Sequence, residues 1–181
     1  MKLLFCFSVL AAMLSCSSFT SQEPDYEKIA DKITVKTAKK LEEEKGLILI
    51  GIGGRMMHDI QMMMMGFNYY HEVDIDNARH LLVDSVEEYL SAINASEEVR
   101  PYLHEYPFTA QNIEINIYFY KPDKHEVPLG KIMIAAAEKG KLIYYIDEPE
   151  TYALKRICEE PYEDALKAVN YIHPDNCINK K

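Results

Sequence analysis

The chain of 181 residues has no tryptophan, only four cysteines, and no basic stripe with interleaved aromatics. Its formal net charge is -9. An acidic body repels a phosphate backbone, which sets nucleic acid and anionic surfaces aside as partners for it. Gly51, Gly53 and Gly54 are followed by no glycine at the dinucleotide spacing and by no Gly-Lys-Ser/Thr, so they define no phosphate loop. Ser85 lies on a helical stripe, outside any Gly-x-Ser-x-Gly setting. No nucleophile stands beside a clear base, and no histidine spacing matches a zinc signature. The sequence therefore assigns no catalytic residue and no cofactor, and it favours a binding protein over an enzyme. Internal repeats and low-complexity tracts are also absent. What is present is a hydrophobic content of 48%, enough for one domain with a core.

The longest apolar run is at the N-terminus. Lys2 supplies a positive start, and residues 3–14 are apolar apart from Ser8. That length suits a signal segment and is short for a bilayer span. Met13-Leu14-Ser15-Cys16 resembles the lipobox of bacterial lipoproteins, with Met13 where Leu is usual. The resemblance implies cleavage before a lipidated Cys16 and attachment to a membrane of the cell envelope through that lipid. The other reading is an ordinary secretory signal cut within residues 15–21, giving a soluble periplasmic or secreted protein. The chain then divides into a signal region over 1–21, a tether over 22–25, one domain over 26–172 and a polar tail over 173–181. Export leaves Cys158 and Cys177 as an even pair in an oxidising compartment. They form either a disulfide, contributing about 3 kcal/mol by the chain-entropy model, or two partly buried thiols.

Residues 26–45 carry apolar side chains at helical spacing, with Asp25 as cap and Gly46 as stop. Residues 47–52 read as a buried strand, and Gly51, Gly53 and Gly54 as a bend or bulge. Residues 55–65 read either as strand or as about three turns of helix; a strand through 56–73 is favoured. Residues 74–94 form the clearest helix, with Asp74 or Asp76 at its start. Residues 102–111 read as an ordered loop with aromatic anchors. Residues 112–120 alternate as a half-buried strand, and 131–137 with 142–147 form a hairpin around Glu138-Lys139-Gly140-Lys141. A last helix is expected over 151–159, interrupted at Pro161 and completed over 162–171. This order predicts an α+β two-layer sandwich: a mostly antiparallel sheet with helices covering one face.

Six of the nine methionines fall within residues 51–70. Thioethers and imidazole suit Cu(I), so Met56, His58, Met62 and Met64 are a candidate soft-metal set. Equally, methionine fills irregular gaps in cores, and adjacent strand residues point to opposite faces. A second cluster, His71, Glu72, Asp74, Asp76, Arg79 and His80, contains the residue types of a small metal-dependent hydrolase, with His71, Asp74 and His80 at its centre. The alternative makes the aspartates helix caps and His80 a surface residue. His104, Glu105 and Tyr106 with Tyr118, Tyr120, Tyr144 and Tyr145 are expected either to line a groove on the open sheet face, for a protein or small-molecule partner, or, for the tyrosines, to be half-buried strand residues whose hydroxyls reach water.

Overall fold

A computed structural model describes residues 26–148, 150–151 and 153–171. The first element, α1, is Tyr26–Lys45; it buries Ala30, Thr34, Thr37, Ala38 and Leu41 along one stripe. Gly46, at φ +75°, ends it in the left-handed conformation that glycine adopts without steric cost. Two strands follow, β1 over Ile48–Arg55 and β2 over Met62–Tyr69. Helix α2, Ile75–Ala95, starts at Asp74, whose carboxylate accepts a 2.8 Å hydrogen bond from the Asn77 amide. Short 3-10 turns at Arg100–Tyr102 and Ala110–Asn112 lead to β3, Ile113–Phe119. Then come β4 (Ile132–Glu138), β5 (Lys141–Asp147), β6 (Leu154–Pro161) and α3 (Tyr162–Tyr171).

The six strands lie in sequence order, β1-β2-β3-β4-β5-β6. Every neighbouring pair is antiparallel except β2 and β3, which run parallel with α2 as the connection. The expected α+β fold and mostly antiparallel sheet are therefore present. Met63, Met65 and Phe67 on β2 stand beside Ile113, Ile115 and Ile117 on β3, and all six are buried in the main core. Ala135, Ala137, Leu142 and Tyr144 continue that face across β4 and β5. The three helices contact the sheet through this layer, with α1 over β1 and β2, α2 over β3 to β5, and α3 over β5 and β6.

Three expectations need correcting. The run over 47–52, expected as a buried strand, belongs from Ile48 onward to the edge strand β1, where Ile48 and Ile50 are exposed. The strand predicted over 56–73 is confined to 62–69; residues 56–61 form a link, pinned where Ile60 bridges Leu103. More substantially, the helix predicted over 151–159 is the edge strand β6. Pro161 biases the preceding residue to extended backbone and is tolerated at the end of an edge strand. Tyr144 and Leu142 of β5 pair with Cys158 and Glu160, giving the segment a ladder that an isolated polar helix would lack. Cys16, Cys177 and the tail over 173–181 lie outside the described residues.

Buried polar contacts fasten the helices to one another and to the sheet. The Thr34 hydroxyl donates to the Ala30 carbonyl at 2.8 Å, so its oxygen is free to accept from the Tyr89 hydroxyl, 2.6 Å away on α2. Burial raises the Tyr89 phenol above its ordinary range. Arg79 of α2 donates to Glu160 of β6 at 2.8 Å, and the fully buried Tyr144 donates to the same oxygen at 2.7 Å. Tyr162 of α3 bonds Glu87 of α2.

The Thr34–Tyr89 contact yields an asymmetric expectation. Thr34→Val strands a buried phenol and costs about 2 kcal/mol, whereas Tyr89→Phe leaves Thr34 bonded to Ala30 and costs about 1 kcal/mol. Urea unfolding of both variants measures the difference; equal losses would remove the contact's assigned role.

Candidate functional site

The three helices of the described residues share one face of the sheet, so among those residues the other face has no helical cover. Its residues follow from the register. Gly53 and Arg55 of β1 pair with Met64 and Met62 of β2, which alternate with the core residues Met63 and Met65. Glu114, Asn116 and Tyr118 come from β3. Ile134 and Ala136 of β4 stand opposite Tyr145 and Ile143 of β5. Ala136 and Ile143 are nearly inaccessible yet lie outside the main core. Ile50, the extra residue of a bulge, lies over Gly66, and is 53% exposed. The result is a broad surface of isoleucine, methionine and tyrosine with Arg55, Glu114 and Glu138 at one end.

The hollows on this face are shallow. One of about 250 Å³ lies among Arg55, Met62, Glu114 and Glu138. One of about 40 Å³ lies by Tyr118, Tyr120 and Met133. Both fall below the roughly 300–1,000 Å³ typical of small-molecule pockets. The face is suited to contact with a macromolecule.

The proposed soft-metal residues are not brought together. Met62 and Met64 lie on the open face, while Met56 folds over Gly54 on the core side, where Tyr26 donates to its carbonyl. His58 is exposed in the link between β1 and β2. The second cluster is divided among structural tasks. Asp74 caps α2, Asp76 pairs with Arg79, and Arg79 continues to Glu160. His71 is exposed and lies 5.1 Å from the Tyr69 ring, centroid to centroid. His80 is half-buried on α2. A cleft of about 680 Å³ runs along residues 72–77 and 130–132. Among the described residues no three His, Cys, Asp or Glu side chains are arranged to hold a metal ion. Of the tyrosines, Tyr118 and Tyr145 belong to the open face, whereas Tyr144 is in the core. Cys158 is half-buried across from Tyr144.

Sequence reasoning missed Ile50, Ile134 and Ile143 as surface-forming residues. The signal was available: continuous apolar runs at 47–50, 132–137 and 142–146 mean that both faces of those strands are apolar. Sequence reasoning named His104 only as a groove-lining residue and missed its partner, Asp59. The His104 Nδ1 lies 2.6 Å from an Asp59 carboxylate oxygen, at the junction made by Ile60 and Leu103. No spacing in the sequence joins residues 45 positions apart.

No family model, curated protein or solved structure matches this chain. Among the described residues, no helix is long and apolar enough to cross a membrane.

The hydrogen bond and charge of Asp59 hold the His104 imidazole above its ordinary value, and the His104 hydrogen bond holds Asp59 below the carboxylate range. The His104 contribution to stability is present below its unfolded pKa and fades as pH rises through the raised folded value. The Asp59 contribution is present above its unfolded pKa and fades as pH falls through the lowered one. The pair is thus most favourable between those limits. NMR titration should find His104 raised in the native chain and returned to about 6.5 in Asp59→Asn; an unchanged midpoint would break the link.

Proposed function

We propose that this chain is an exported lipoprotein, anchored through a lipid on Cys16, whose domain binds a partner protein on the open face of its sheet. The observation that carries the binding half is that face: among the described residues no helix lies over Ile50, Met62, Met64, Tyr118, Ile134 and Tyr145. Tyrosine and methionine are enriched where proteins meet, since each presents a large contact area. The matching chemistry is a partner surface with an apolar centre and polar margins able to meet Arg55 and Glu114. The export half is supported by Lys2, the apolar run over 3–14 and the small residues around Cys16.

The two halves separate in experiment. Palmitate labelling in an expressing bacterium should mark the wild-type chain and spare Cys16→Ala, and globomycin should leave the precursor unprocessed. Absence of label with normal expression sinks the anchor. For the face, Tyr118→Glu and Ile134→Glu should each weaken binding of a co-purified envelope partner about tenfold or more, whereas Lys32→Glu on α1 should not. Equal loss in all three would place binding elsewhere.

A further inference from the structure

The two edges of the sheet differ. Strand β6 carries Lys155, Arg156, Glu159, Glu160 and Pro161 along eight residues, the charges and proline that discourage edge pairing. Strand β1, also eight residues, reads Ile-Leu-Ile-Gly-Ile-Gly-Gly-Arg and has Arg55 as its single charge. A bulge between Leu49 and Gly51 kinks its first half, but residues 51–55 run without a register shift. Among the described residues no strand pairs with its outer side.

Helix α1 flanks that edge. Glu27 and Asp31 line a cleft with Gly53 and Gly54, which places their stripe beside the outer side of β1. The opposite side of α1, with Lys32, Lys36 and Lys40, faces α2. On the β1 side the exposed residues include Asp31, Val35 and Lys39; Val35 is 50% exposed, and Lys39 lies 3.7 Å from Glu43 of its own helix in an exposed pair. The charges of Asp31 and Lys39 change sign on reflection about Val35. An antiparallel copy of α1 centred there would set Asp31 against Lys39, a pair that occurs twice.

The geometry points to a second copy of this chain as the occupant of the β1 edge. We propose a two-fold dimer in which β1 pairs antiparallel with β1 of the second copy. The sheet becomes continuous over twice six strands, and the two α1 helices lie side by side, antiparallel, in the layer above it. Two length checks agree. Because α1 covers both β1 and β2, the two α1 axes would be separated by two strand spacings, about 10 Å, which is the distance of packed helices. Tyr26 and Met56 are joined by a hydrogen bond at one end of α1 and β1. From there Val35 is about 13 Å along the helix and Ile52 about 13 Å along the strand. One two-fold axis near Ile52 and Val35 therefore serves both layers. An isologous contact of this kind is closed, so pairing stops at two chains. This inference does not depend on the proposed anchor or on the open face.

The test is sedimentation equilibrium of the full chain in a density-matched detergent, with circular dichroism as the control on folding. The wild type should be a dimer. Asp31→Lys or Lys39→Asp alone puts like charges together at two symmetric places and should raise the dissociation constant about tenfold. Combining the two changes restores opposite charges and should bring it back to within about threefold of wild type. A monomeric wild type at about 100 μM overturns the proposal. So does a dimer indifferent to either single change, or a double variant weaker than both singles.

Discussion

Strands β2 and β3 run parallel, and much of the architecture follows from that pairing. Two parallel strands in succession cannot be joined by a tight turn; they need a crossover, and α2 is that crossover. The crossover must lie on one face of the sheet, and its stripe of Ala78, Leu82, Val86, Tyr89 and Ile93 requires apolar side chains beneath it. Met63, Met65, Phe67, Ile113, Ile115 and Ile117 supply them. Once α2 occupies that face, α1 and α3 can bury their stripes only by lying beside it. Thr34–Tyr89 holds α1 there and Tyr162–Glu87 holds α3. The uncovered face is thus a consequence of one pairing direction and of helices gathered around one crossover.

That consequence assigns a cost to the open face. A sheet with water on one side ordinarily alternates apolar and polar residues. β3 does so, with Glu114, Asn116 and Tyr118 outward. β4 and β5 do not, since Ile134, Ala136 and Ile143 point outward among them. Ala136 and Ile143 are buried there, but Ile134 is half-buried and Ile50 is exposed, and apolar area open to water weakens solubility unless something covers it. Stability alone gives no reason to keep isoleucine there, and this is the basis for reading the face as a contact surface.

Much of this was legible in the sequence because periodicity carries it. The α1 and α2 stripes, the β3 alternation and the Lys139-Gly140 turn were each readable locally. In the last case both turn residues have positive φ, as a two-residue hairpin demands. β6 was not legible, because Leu154-Lys-Arg-Ile-Cys-Glu-Glu gains its strand character from pairing with β5 and from Glu160 reaching Arg79 and Tyr144. Local propensity is overridden by partners that a linear reading does not contain. The candidate site failed in a related way. Met56 and Met62 are close in sequence, yet the intervening link brings β2 back beside β1 with Met62 and Met56 on opposite faces. Proximity along the chain fixes a side-chain cluster only when the backbone between is regular, and residues 56–61 are not.

The glycines of β1 join these threads. A side chain at Gly54 would meet the Met56 methyl at 2.5 Å and the Met62 carbonyl at 2.6 Å, and one at Gly53 would meet the Met64 methyl at 3.1 Å. At Gly54 it is the Met62 carbonyl that excludes a side chain, whereas the flexible thioethers of Met56 and Met64 fill the space that β1 leaves empty. The same glycines strip β1 of the side chains that would otherwise shield its outer edge. Close packing inside the hairpin and an accessible edge outside it are two effects of one sequence choice. A substitution in β1 would disturb both at once and could not tell folding from pairing. The exposed charges of α1 lie outside that packing, which is why the symmetry of the edge is best interrogated from the helix beside it.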